Sequence, residues 1–151
     1  MKIQLIAAGT LRKGALYDLF AEYQKRMNTP IKIIEIESRA RDEKAMQREE
    51  HQKLFAAVQD NAFLIALDER GKTLSSPEFS DKIEQCRLNN VPLLQIMIGG
   101  ANGLSEEIRS RANLTLSFGK QTWPHMMVRV MIMEQLYRAQ QIHAGHPYHK
   151  A

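Results

Sequence analysis

The sequence predicts one α/β domain built on a mostly parallel sheet with helices on both faces. Three observations carry that expectation. Short apolar runs rich in Ile and Leu recur near residues 3–8, 31–36, 62–67, 92–98 and 114–118, the composition of strands buried on both sides. Segments with helical spacing or helix-start signals separate them, so strand and helix alternate. No repeat, low-complexity tract or linker interrupts the 151 residues, a length that fits a single domain over 1–151 with one core.

Each element has its own signal. Met1-Lys2-Ile3-Gln4-Leu5-Ile6 lacks a signal-peptide cleavage pattern and reads as a first strand. Leu16, Leu19, Phe20 and Tyr23 fall at i, i+3, i+4 and i+7, one stripe of a helix. Residues 42–59 are more charged and end in Leu54, Phe55 and Val58. Ser76-Pro77-Glu78 places a capping hydroxyl before a proline and an acid in a first turn, and Ser105-Glu106-Glu107 repeats the cap and the acids. The last helix is expected from Pro124 to about His143, with Gly145 as its stop and Pro147 beyond. At about 30 Å it is long enough to cross the domain or line a dimer seam. Met126, Met127, Met131 and Met133 on it read as packing or dimer contacts.

Bulk properties narrow the partners. No apolar run approaches the ~20 residues of a membrane span, so no membrane partner is expected. Cys86 is the only cysteine, which rules out an internal disulfide and suits a reducing cytoplasm. The net charge is +4, and residues 105–151 hold six Lys/Arg against three acids, together with four of the five histidines. That imbalance favours a polyanionic partner.

In parallel α/β sheets ligands bind beyond the carboxyl ends of the strands. Three loops follow late strands here: Leu67-Asp68-Glu69-Arg70-Gly71-Lys72, Ile98-Gly99-Gly100-Ala101-Asn102-Gly103-Leu104, and Phe118-Gly119-Lys120-Gln121-Thr122-Trp123. Glycine lets backbone approach a ligand, although any one such loop taken alone is more often simply a tight turn. The dinucleotide fingerprint G-x-G-x-x-G is absent, which counts against a standard NAD site. His125 and Arg129 lie four apart, on one helical face beside these loops. Glu134 and Arg138 share that spacing and read as a surface ion pair. His143, His146 and His149 are interrupted by Gly145 and Pro147 and lack a completing cysteine or carboxylate, so no metal is expected.

The string formed by Gly99-Gly100-Ala101-Asn102-Gly103-Leu104, Gln121-Thr122-Trp123-Pro124-His125, Arg129-Val130, Glu134-Gln135-Leu136-Tyr137-Arg138-Ala139 and His146-Pro147-Tyr148-His149-Lys150 resembles the RlmH family. These are pseudouridine N3-methyltransferases of large-subunit ribosomal RNA within the SPOUT superfamily. The likeness runs the whole length and is weakest from about Thr10 to Asn61; Trp123 occupies a position at which the family varies. The resemblance implies a C-terminal segment threaded into a trefoil knot, one of the rare exceptions to unknotted topology, and a homodimer. It implies S-adenosyl-L-methionine (AdoMet) as methyl donor, with contacts at Leu67, Gly99 and residues 118–123, that is Phe118, Gly119, Lys120, Gln121, Thr122 and Trp123, and with Gly100 and Gly103 shaping the pocket. Large-subunit rRNA within the ribosome is the implied substrate, gripped by the dimer itself because no added RNA-binding domain is present.

Methylation of an imide nitrogen needs donor and acceptor aligned and the deprotonated or polarised imide favoured. His125 and Arg129 are expected near the reacting base or its phosphate. Tyr148 and His149 are expected to close over the acceptor, from the partner subunit if not from the same chain, with Arg138 and Lys150 toward RNA. Two other classes compete: a nonenzymatic RNA- or ribosome-binding module that keeps the fold, and a nucleotide- or phosphate-using α/β enzyme.

Overall fold

The computed structural model, which describes residues 1–150, runs β1 (Lys2–Ala8), α1 (Ala15–Lys25), β2 (Ile31–Ile36), α2 (Glu43–Ala56), β3 (Ala62–Lys72), α3 (Ser76–Leu88), β4 (Leu93–Ile98), α4 (Glu106–Arg111), β5 (Leu114–Leu116) and α5 (His125–His143). The strands form one sheet in the order β2-β1-β4-β3-β5, and every pairing in it is parallel. Ile3 is in register with Ile31 on one side and Leu94 on the other, and Leu5 with Ile33 and Ile96.

Side chains alternate across the sheet, and both faces are covered. Leu5, Ala7, Ile65, Leu94 and Ile96 meet Phe20 of α1, Phe79 and Ile83 of α3, and Ile132, Met133 and Leu136 of α5. Their neighbours Ile6, Ala8, Leu64, Ala66 and Met97 meet Leu54 of α2 and Leu104 and Ile108 around α4. The chain after β4 therefore leaves toward one face, while the chains after β3 and β5 leave toward the other. Strands β4, β3 and β5 are neighbours in the sheet, so a crevice opens where those connections diverge.

Three local expectations are corrected. β3 does not end at Leu67 but continues to Lys72 with a break in register: Leu67 and Lys72 both pair with Leu116. Asp68 to Gly71 is an excursion of the strand, and a Cβ on Gly71 would lie 2.6 Å from the Thr115 carbonyl carbon, so only glycine permits the return to β5. Helix α3 is capped by Ser75 rather than Ser76. The Ser75 side chain accepts from the Glu78 N–H, and the Glu78 carboxylate accepts from the Ser75 N–H at 2.7 Å, a closed capping box that leaves Ser76 free to bond Gln135 of α5 at 2.7 Å. On α1 the apolar stripe is only partly buried: Phe20 enters the core, but Leu19 stays 45% exposed.

Candidate active site

The crevice is a cleft of about 390 Å³ at the carboxyl ends of β4, β3 and β5. Leu67, Ile98 and Leu116, the last inward-facing residues of the three strands, line its base, with Val128 from α5. Its walls are the β3 excursion, the loop of residues 99–103 and the segment of residues 117–123. Of the residues expected to hold a cofactor, Leu67, Gly99, Gly100, Gly103, Phe118, Gly119, Gln121, Thr122 and Trp123 all line this one cleft. Lys120 is exposed beside it.

The glycine loop is tight for steric reasons. Gly103 adopts φ +69°, and its N–H donates to the Gly100 carbonyl at 3.0 Å. That turn brings the Gly103 carbonyl onto the space where a Cβ on Gly99 would project, so neither position tolerates a side chain without opening the loop. The Glu50 carboxylate backs Gly100, at 2.9 Å from the place of its missing Cβ, and His51 Nε2 lies 3.3 Å from the Gly103 carbonyl. Across the cleft the Trp123 indole N–H donates to the Phe118 carbonyl at 3.3 Å, folding that segment on itself.

Sequence reasoning missed Asp68, Arg109 and Glu50. Asp68 lines the cleft although its side chain is only 3% exposed. Its carboxylate accepts from the Arg70 N–H at 3.0 Å and faces Arg109 Nη1 at 3.6 Å. Arg109 also donates to the Leu104 carbonyl, so the pair ties the β3 excursion to the glycine loop. The only available signal was an acid next to Leu67 and an arginine one turn into α4.

His125 and Arg129 share a helical face, as their spacing requires, but meet different surroundings. His125 lines the cleft, with its ring against Gly9 and a buried Nδ1 that has no hydrogen-bond partner. Arg129 is 1% exposed and lies beneath the cleft. It donates to the Ala8 carbonyl at 2.8 Å, the Gly9 carbonyl at 2.6 Å and Glu35 Oε2 at 2.5 Å. A guanidinium so enclosed offers no surface to a base or phosphate, which corrects the expectation for Arg129: it fastens the end of β1 instead.

The C-terminal tail gathers at the far end of α5. The Tyr148 hydroxyl donates to Glu134 at 3.0 Å, its ring meets Tyr137 edge-on at 4.8 Å, and Arg138 lies over it at 4.8 Å. Arg138 bonds Glu134 at 2.6 Å and reaches His149 Nδ1 at 3.3 Å. The Glu134–Arg138 pair is thus a half-buried hub rather than a surface pair. Burial first, then its bonds with Tyr23 and Glu134, push the Tyr148 hydroxyl pKa up, and the bond to Glu134 raises that of Arg138. Glu134 is nine residues from His125, about 14 Å along the helix, and none of Arg138, Tyr148, His149 and Lys150 lines the cleft of its own chain. The histidines disperse: His143 faces Glu84 at 3.6 Å, and His146 accepts from the Tyr148 N–H. No cluster of three His, Cys, Asp or Glu that could hold a metal occurs among the described residues, and no helix there is long and apolar enough to cross a membrane.

A second, shallower concavity of about 660 Å³ runs between α1 and α5, lined by Leu16, Leu19, Met127 and Met131 among others.

Comparison with known proteins gives a consistent picture. A family model described as "Predicted SPOUT methyltransferase" matches residues 1–149. The chain is 48% identical over 152 residues to a protein of Rhodospirillum centenum named ribosomal RNA large subunit methyltransferase H, covering all of both chains. It is 41% identical over 159 residues to the protein of the same name in Clostridium botulinum (strain Kyoto / Type A2), covering 99% of this chain and all of that one. Its fold is similar to that of a probable methylase family protein from Haemophilus influenzae Rd KW20, with TM-score 0.60 at 14% identity, over 99% of this chain and 70% of that one.

Proposed function

The chain belongs to the SPOUT methyltransferase family, and from that premise we propose that it is an AdoMet-dependent enzyme methylating N3 of a pseudouridine in large-subunit ribosomal RNA. One observation carries the reading. Nine of the ten expected cofactor residues, all but Lys120 and separated by up to 56 positions from Leu67 to Trp123, line a single cleft at the sheet's switch point.

The cleft fits such a cofactor. It offers an apolar base of Leu67, Ile98 and Leu116, backbone polar groups on two loops, and a buried imidazole nitrogen left without a partner. When bound, AdoMet supplies a methyl group on a sulfonium. Gly99, Gly100 and Gly103 would admit it close to the backbone, and Phe118 to Trp123 would close over it. His125 stands at the boundary between this cleft and the β1 loop, where it can orient the acceptor or take the N3 proton as the new N–C bond forms. The prediction for it is direct: His125→Ala lowers turnover at saturating substrate about 100-fold with AdoMet affinity retained, and near-normal turnover removes it from the chemistry.

The acceptor side is supported by the separation of tail and cleft. About 14 Å of α5 divides them within one chain, so Tyr148 and His149 would serve the cleft of a second copy. The α1/α5 concavity, with Leu19 and Met127 exposed, is the apolar surface such a copy would cover. A homodimer would thereby complete two sites, each with a cofactor cleft from one chain and a tail from the other, with Arg138 and Lys150 toward RNA. The threaded C-terminal segment and the cytoplasmic setting belong to the same proposal. The latter agrees with a single cysteine, Cys86, whose thiol pKa is pushed up by burial and which is therefore poorly reactive.

Methyl-labelled AdoMet incubated with ribosomes that lack the modification, and in parallel with free rRNA, tests the reading by mass-spectrometric mapping. Label at one pseudouridine, lost in Gly100→Arg, is the expected result. AdoMet binding without label would keep the cofactor and discard this RNA target. Neither binding nor label would leave a nonenzymatic RNA-binding module.

A further inference from the structure

The loop from β1 to α1 is held in a way its own sequence does not explain. It carries Thr10, Leu11, Arg12 and Lys13 to Gly14. Its first half is pinned. Arg129 holds the Ala8 and Gly9 carbonyls, Glu35 Oε2 accepts both Arg129 and the Leu11 N–H at 2.6 Å, and the Thr10 hydroxyl donates to Glu37. Its second half projects. Arg12 and Lys13 are exposed, and neither joins an ion pair among the described residues. The nearby acids Glu35 and Glu37 are already engaged, so the two cations at the tip stay uncompensated.

The loop also lies next to His125, which lines the cleft. β1 neighbours β4 in the sheet, so the loop emerges beside the glycine loop. The His125 ring carbon Cε1 lies 3.7 Å from the position of a Cβ on Gly9. A pair of cations carried on a braced segment next to His125 is suited to a phosphodiester: arginine offers a fork for phosphate oxygens, and a pre-set segment loses less freedom on binding than a loose one. Phosphate contacts fix register without reading sequence.

We infer that Arg12 and Lys13 form a phosphate-gripping lip at the mouth of the cleft, holding the RNA backbone that flanks the target nucleotide, with Arg129 and Glu35 as positioning residues behind it. The inference rests on the RNA reading of the cleft given above.

The test uses the full chain and unmodified ribosomes. Ribosome affinity is measured with S-adenosylhomocysteine present to stop turnover, across 50–200 mM KCl, with AdoMet affinity and methylation kinetics beside it. Each phosphate contact contributes about 0.7–0.9 to the salt slope. Arg12→Ala/Lys13→Ala is therefore expected to make the slope shallower by about 1.5 and to weaken ribosome binding about tenfold at 100 mM. KM for ribosomes rises, kcat is retained, and AdoMet affinity stays within about twofold. Lys2→Ala/Lys32→Ala, which removes the same charge from exposed positions at the amino ends of β1 and β2, the opposite end of the strands from the loop, is the control and is expected to change ribosome binding less than about threefold. Glu35→Ala should weaken ribosome binding while leaving the salt slope intact, the signature of a loosened but still charged loop. An unchanged slope in the Arg12/Lys13 variant, or an equal loss in the control, overturns the lip. If the unaltered protein binds AdoMet but neither binds nor methylates ribosomes, the RNA reading itself fails and the lip falls with it.

Discussion

Two arginine–carboxylate pairs stand at opposite ends of α5 and are built on different principles. Arg138 takes Glu134 from one turn away on the same helix, at 2.6 Å, with the side chains 25% and 17% exposed. Arg129 takes Glu35 across 94 residues of sequence, at 2.5 Å, with its own side chain 1% exposed. The first pair needs only the helix to exist. The second needs β1, β2 and α5 all in place, and in return it fastens the β1 end on which His125 rests. The cleft end of α5 is therefore held by a buried tertiary cluster, whereas the other end holds the tail chiefly through Glu134 and Arg138 of the helix itself, with one longer bond from Tyr148 to Tyr23 of α1 at 3.4 Å. A firmly fixed cleft end and a less firmly held tail follow from that asymmetry.

The largest expected effect tests the buried pair. Arg129→Ala strips partners from two carbonyls and from Glu35 and leaves a cavity, which should cost about 3 kcal/mol or more. For a domain of this size that lowers Tm by roughly 6–12 °C. Arg129→Lys keeps the charge but not the fork and should recover about half of the loss. Urea unfolding decides the matter. A cost below about 1 kcal/mol would put Arg129 on the footing of an ordinary surface arginine and erase the contrast.

The other end should respond less. Arg138→Ala removes an i,i+4 pair and a cation over the Tyr148 ring, worth about 1 kcal/mol together. Because the tail does not line its own cleft, AdoMet affinity is expected to stay within about twofold, while amide exchange over residues 145–150 quickens. An AdoMet affinity that falls tenfold would mean that the two ends of α5 are coupled within one chain.

The same contrast explains what could be read from sequence. The strands were legible because burial on both faces writes continuous apolar runs, and the run near residues 62–67 locates β3. Its extension to Lys72 was not, since the excursion is set by how close Gly71 must come to β5. The capping serine of α3 was off by one: with Ser75 and Ser76 adjacent, only the Glu78 side chain closing back on Ser75 decides between them. The glycine loop and the Phe118–Trp123 segment were singled out because each follows a late strand of a parallel sheet, where ligands bind, and because the family resemblance runs through both. Arg129 shows the limit. Spacing put it on one face with His125, but what that face meets is decided by β1 and β2, about a hundred residues earlier. Arg109 and Asp68, 41 positions apart, were missed for the same reason: neither residue is unusual until the fold brings them together.

The smallest predicted effect concerns Tyr148. Burial and its bonds to Tyr23 and Glu134 raise the hydroxyl pKa above its ordinary value of 10.0. The folded chain thus holds that proton more tightly than the unfolded chain does. Such a group contributes stability that is complete below pH about 10 and is lost as pH rises from there toward the folded value. Tyr148→Phe lacks both the hydroxyl bonds and the titration. At pH 8 it should be less stable than the parent by about 0.5–1 kcal/mol, the net worth of a hydrogen bond. The gap should narrow above pH about 10 and close by about pH 11, because only the parent's unfolded state gains by ionising there. Every other ionisable group is common to the two proteins, so its contribution cancels in the difference. Urea titrations of the two at pH 8, 9.5 and 10.5 give the comparison. A gap that stays constant with pH would mean that Tyr148 ionises as freely in the folded chain as in the unfolded one, and the tail end of α5 would then be looser than its bonds to Glu134 imply.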